Sequence, residues 1–133
     1  MAGGKMSAIA AEEIEFLEKM LRQCDGLHRQ IEEYAGAKKN ADMYSTAIAR
    51  ELQRIRQHAM IKNLGFVADA AGGLGIQASR GGSPNMKSRA MREGLVSFRA
   101  LIERTIRQIS QADAAELVEK KDKAARDAAE GGH

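Results

Sequence analysis

Apolar residues recur every three or four positions in four separate stretches of this chain, and this spacing constrains its fold more than any other feature. A single proline and only five Phe or Tyr residues among 133 also favour helix over sheet. We therefore predict four amphipathic helices and an all-α fold. The stripe positions are Ile14, Leu17, Leu21, Cys24, Leu27 or His28, and Ile31; Tyr44, Ile48, Leu52, Ile55 and Ala59; Phe66, Val67, Ala70, Ala71 and Leu74; and Met91, Leu95, Phe98, Ile102, Thr105 or Ile106, and Ile109.

Local signals mark the boundaries of these helices. The first should run from about Ser7 to residue 35, and Asn40 can cap the second, which should end near residue 62 or 63. Ser83 as an N-cap and Pro84 at the first helical position begin the fourth. Helices joined by short connections run antiparallel, which predicts an up-and-down four-helix bundle over residues 7–110. Pairing of the first and last helices between two chains, as a homodimer, is an alternative that the pattern leaves open.

The two ends of the chain differ from the predicted bundle. We expect a flexible N-terminus over residues 1–6, and a charged helical extension over 111–133 that frays into a disordered tail. A single cysteine excludes an internal disulfide and favours a reducing compartment, so a cytoplasmic location is expected. No apolar run approaches the roughly 20 residues that a membrane span requires.

One histidine in the second helix is a candidate for phosphoryl chemistry. A neutral imidazole nitrogen can accept a phosphoryl group, and a nearby cation can stabilise the charge that arrives with it. His58 is followed four residues later by Lys62, which is close to one helical turn away. We therefore take His58 as the candidate phosphoacceptor and Lys62 as the candidate phosphate-stabilising residue.

The segment "NLGFVADAAGGLGIQASRGG", followed by "EGLVSFRALIERTI", resembles the second half of the histidine-phosphotransfer domains of bacterial phosphorelays. In that family a helix carrying His-x-x-Lys-Gly is followed by a Leu-Gly turn and two further helices. The resemblance covers about residues 44–108, with Leu64 and Gly65 on the turn. It implies a four-helix bundle that docks on the receiver domain of a response regulator. This chain reads "HAMIKN" at the family's active motif, and with Leu64 on the turn the acceptor position falls on Ile55.

The charge distribution indicates an acidic partner. Residues 50–107 carry a net charge of +7, whereas 1–49 and 108–133 each carry −2. A basic region attracts acidic surfaces, and the candidate partner-binding residues are Arg50, Arg54, Arg56 and Lys62. A receiver domain is the first partner expected. The alternative function is a non-catalytic adaptor or scaffold that binds a protein partner, with a dimer left open. Nucleic acid is disfavoured because no aromatic residues interleave the arginines of the last helix, and no membrane partner is expected.

The remaining motifs predict packing and no further chemistry. Gly65, Gly72, Gly73 and Gly75 are expected to allow close approach of a neighbouring helix. No residue set resembles a metal site, a cofactor site or the active site of a hydrolase or oxidoreductase, so the chain would be at most a phosphocarrier.

Overall fold

The computed structural model describes residues 7–131, which form four helices connected by turns of three or four residues. The helices are α1 (Ala8–Gly36), α2 (Ala41–Ile61), α3 (Gly65–Ser79) and α4 (Pro84–Gly131). This confirms the predicted all-α four-helix fold. The expected flexible segment 1–6 and the end of the expected tail, 132–133, lie outside the described residues.

Ion pairs between α1 and α4 show that these helices run antiparallel. Arg92 of α4 pairs with Glu32 of α1, and Arg99, seven residues further along, pairs with Asp25, seven residues further back. Each helix packs against its neighbours in the chain, and α4 closes the ring by packing against α1. The topology is therefore up-and-down, as short connections require.

The core confirms most of the predicted apolar stripes and corrects a few positions. Tyr44 is 36% exposed and Phe66 is 52% exposed, because the buried face of each helix is rotated away from them. Ser45 is buried beside Tyr44, and of the two alternatives in the last stripe Thr105 is buried, donating its hydroxyl hydrogen to the Leu101 carbonyl at 2.7 Å. The largest fully buried side chains are Leu17, Met20, Cys24, Leu27, Ile31, Ile48, Leu52, Ile55, Val67, Ser88, Met91 and Ile102.

The turn between α2 and α3 fixes the position of the candidate site residues. Lys62 is the C-cap of α2, and Asn63 adopts the left-handed conformation with φ 60°. The Leu64 N–H donates to the Ala59 carbonyl at 2.9 Å and the Asn63 N–H to the Met60 carbonyl at 3.0 Å. These two bonds form a Schellman motif, which ends α2 and buries Leu64.

The other helix ends follow the predicted signals with one difference. The Ser7 and Ser83 hydroxyls accept hydrogen bonds from the first turns of α1 and α4. Asn40 precedes α2 as expected but makes no side-chain cap bond, because its backbone is left-handed with φ 59°. The last helix continues without interruption to Gly131, so the charged extension is helical through most of its length.

Candidate functional site

Four basic side chains form a row along the exposed surface of α2. Arg50, Arg54, His58 and Lys62 are spaced four residues apart, and all four are exposed. A step of four residues advances about 40° around a helix, so such residues form a gently inclined ridge. We call these four residues the basic row. Three of the four predicted partner-binding residues lie in it, together with the candidate phosphoacceptor.

His58 lies in the last turn of α2 with its side chain exposed. A fully buried ring could not accept a phosphoryl group from another protein, so this placement keeps the predicted chemistry feasible. Its nearest neighbours in the row are Arg54 one turn before it and Lys62 one turn after it. The positions that flank His58 in the row are therefore both cationic.

Both of these neighbouring cations already contact carboxylates of the same chain. The Lys62 Nζ atom lies 3.4 Å from Glu12 Oε1 and 5.7 Å from the centre of the Phe16 ring, so the side chain is directed towards α1. The Arg54 guanidinium pairs with Glu51 on its own helix. Ion pairs as exposed as these contribute about 0–1 kcal/mol, so a phosphoryl group or an acidic partner can compete for either cation.

Arg56 belongs to the other side of α2. It lies two residues before His58, a rotation of about 200° around the helix, and its half-buried side chain covers Gly72 of α3. A Cβ atom on Gly72 would lie 3.3 Å from Arg56 Cδ and 3.4 Å from Nε. The structure therefore separates Arg56 from the row with which it was grouped, because sequence proximity does not imply a shared helix face.

The predicted close packing at glycines holds for only part of the set. Gly72 lies under Arg56, and a Cβ on Gly75 would make an ordinary 3.7 Å contact with Leu52. At Gly65 and Gly73 a Cβ would meet no described atom within 4 Å, which corrects the expectation of close approach there. Gly65 begins α3 at an exposed turn, and Gly73 faces solvent.

The closest helix contact at a glycine involves Gly94 of α4, which was not among the glycines predicted to pack closely. A Cβ there would lie 2.6 Å from Leu74 Cδ1 and 3.0 Å from Gln77 Oε1. The sequence did carry a signal, since Gly94 directly precedes Leu95 within the apolar stripe of the last helix. A glycine on an inward-facing part of a helix indicates a near neighbour.

Two arginines of α4 form ion pairs with carboxylates of α1. The bidentate pair between Arg92 and Glu32 has N–O distances of 2.6 and 2.8 Å, and Arg99 donates to Asp25. The hydrogen bond from Arg92 lowers the pKa of Glu32, and that from Arg99 lowers the pKa of Asp25. These ion pairs hold α1 and α4 together.

Cys24 does not offer a reactive thiol. Its side chain is fully buried in α1, and burial raises its pKa to about 11, so the thiol stays protonated at neutral pH. His28, one turn further along, is exposed on the same helix. Within residues 7–129 no three His, Cys, Asp or Glu side chains are grouped so that they could hold a metal ion.

The chain matches none of the protein-family models, curated proteins or solved structures with which it was compared. Across residues 7–131, no helix has an apolar stretch long enough to cross a membrane.

Proposed function

We propose that this protein is a histidine-phosphotransfer-like signalling module that docks on the receiver domain of a response regulator through the basic row of α2. The observation that carries this proposal is the exposed row itself, with His58 placed between Arg54 and Lys62. An acidic protein surface complements such a row, and complementary charge speeds the encounter of two proteins. The resemblance of residues 44–108 to phosphotransfer domains supports a receiver as that surface.

Phosphoryl transfer would use His58 as a nucleophile. The receiver would carry the phosphoryl group as an acyl phosphate on an aspartate. An unprotonated imidazole nitrogen of His58 would attack the phosphorus, forming a P–N bond as the P–O bond to the aspartate breaks and the carboxylate leaves. Arg54 and Lys62 would stabilise the charge of the phosphoryl oxygens during the transfer.

The test is incubation of the full chain with a phosphorylated receiver domain, comparing wild type with His58→Gln. We expect acid-labile phosphate on the wild type and none on His58→Gln. His28→Gln is the matched control, because it removes an equally exposed histidine from α1, and it should be labelled like the wild type. Labelling of His58→Gln at the wild-type level would contradict His58 as the acceptor.

A non-catalytic adaptor is the second candidate, favoured by the engagement of Lys62 with Glu12 and Phe16. In that case the row binds an acidic partner but carries no phosphate. Arg50→Glu combined with Arg54→Glu should abolish receiver binding, whereas His58→Gln should leave it intact. Arg107→Glu, which reverses an exposed arginine on α4, controls for charge alone. Receiver binding that survives reversal of both row arginines would contradict docking through this row.

A further inference from the structure

The outer face of α3 differs from the outer faces of the other helices. Asp69 is the only charged residue among residues 65–79. Phe66 and Ile76 are 52% and 56% exposed, although they belong to the helix that is already the most apolar of the four. A surface helix normally presents polar residues to solvent. An apolar outer face therefore indicates a surface that another protein covers.

The residues on this face are spaced as in a helix–helix interface. Phe66, Asp69, Gly73, Ile76 and Arg80 follow one another at intervals of three, four, three and four, and all are exposed. This is the spacing of the contact positions in a pair of packed helices. Arg80 is the C-cap, and its N–H still bonds to the Ile76 carbonyl, so it continues the helical path. We call these five residues the α3 face.

No contact within the described part of the chain explains why position 73 is a glycine. It lies inside α3 with ordinary helical geometry, and a Cβ there would meet no described atom within 4 Å. Apart from proline, glycine is the residue least favoured inside a helix. Because glycine has no side chain, Gly73 leaves a notch on the exposed face of α3, and such a notch allows a second helix to approach closely. The side chain of Ile76, on the same face, is large enough to fill a notch of this kind.

We propose that the α3 face binds a second copy of this chain, in a two-fold symmetric contact between antiparallel α3 helices. In this register Ile76 of the second copy fills the notch at Gly73. Because the two helices are antiparallel, the residue four positions before Gly73 lies opposite the residue four positions after Ile76 of the second copy. Asp69 then lies opposite Arg80 of the second copy, and symmetry repeats both contacts. One register therefore satisfies shape and charge together.

The charges of the face support a second copy as the occupant. Within residues 7–129, neither Asp69 nor Arg80 takes part in an ion pair. The face thus presents one acid and one base, placed symmetrically about the pair Gly73 and Ile76. A uniformly acidic or basic partner would satisfy only one of them, whereas an identical face satisfies both. This inference does not depend on the proposed docking function, because the basic row lies elsewhere, on α2.

The test is the dissociation constant of the dimer, measured by sedimentation equilibrium on the full chain and its variants. We expect wild-type dimers at concentrations up to about 100 μM, where a complex with a micromolar Kd is largely assembled. Asp69→Arg and Arg80→Asp each place like charges opposite one another, and each should raise the Kd at least about tenfold. The double variant restores opposite charges and should recover the wild-type Kd to within a few-fold.

Two controls separate this interface from general effects. Glu103→Arg makes the same charge change as Asp69→Arg at an exposed position of α4 and should leave the Kd unchanged. Gly73→Gln should weaken the dimer, whereas Gly26→Gln, which replaces a glycine inside α1, should not. A monomeric wild type throughout this range would overturn the proposal. A dimer insensitive to Asp69→Arg and Arg80→Asp, or to Gly73→Gln, would overturn it as well.

Discussion

The two parts of α4 are one continuous helix, but different interactions hold them in that conformation. From Pro84 to Thr105 the helix has a buried face that packs in the bundle. Beyond Thr105 no described side chain is fully buried, although the isoleucines of the next turn are half-buried against the core and the Ser7 N–H donates a hydrogen bond to Asp113. Residues 118–129 are exposed throughout. Tertiary packing holds the first part, and local interactions hold the second.

The local interactions of the second part can be identified from the sequence. Residues 112–129 include seven alanines, the residue most favourable to helix. Glu116 pairs with Lys120 at 3.5 Å, and Glu119 with Lys123 and Asp122 with Arg126 have the same four-residue spacing. Such pairs contribute about 0.2–0.5 kcal/mol each to a helix. The extension should therefore be a helix of low stability whose loss does not disturb the bundle.

The largest expected effect comes from removing a core side chain of the packed part. Ile102 is fully buried, and Ile102→Ala should lower the free energy of unfolding by about 2–5 kcal/mol, measured by urea denaturation. Val118 is 58% exposed in the extension, and Val118→Ala should change the free energy of unfolding by less than about 0.5 kcal/mol. Comparable losses for the two variants would mean that the extension packs against something.

Adding bulk should distinguish the two parts in the same way. Gly94→Leu introduces a side chain where even a Cβ would lie 2.6 Å from Leu74 Cδ1, and it should destabilise the bundle by about 1–3 kcal/mol. Ala124→Leu adds a leucine to the exposed extension and should leave the unfolding free energy unchanged. Thermal and urea unfolding measure both. A stable Gly94→Leu protein would show that α3 can move away from α4 at this point.

A smaller and purely local effect is expected inside the extension. Ala124→Gly should cost about 1 kcal/mol of helix stability because glycine lacks the helix propensity of alanine. Hydrogen exchange should then accelerate at amides around residue 124, while amides between Pro84 and Thr105 remain equally protected. Faster exchange in both parts would show that they unfold as one cooperative unit.

The sequence predicted the four helices well because apolar spacing and cap residues are local signals. Ser83 and Pro84 set the start of α4 as expected, and the stripes placed most of the core. The grouping of site residues was less reliable. Arg56 was placed with His58 although 200° of helix rotation separates them, and Gly73 was assigned to packing although it faces solvent. Which face a side chain occupies depends on how the helices rotate in the bundle.

The smallest expected effect concerns acid and the ion pairs between α1 and α4. Arg99 lowers the pKa of Asp25 below its ordinary value of 3.8, and Arg92 lowers that of Glu32 below 4.5. Groups with lowered pKa stabilise the fold above their ordinary values, and this stabilisation is lost as the pH falls through the lowered values. Arg99→Gln should therefore slightly flatten the decline in unfolding free energy below about pH 4. Arg126→Gln, in the extension, should not alter that decline, and an equal change in both variants would contradict a role for the α1–α4 ion pairs.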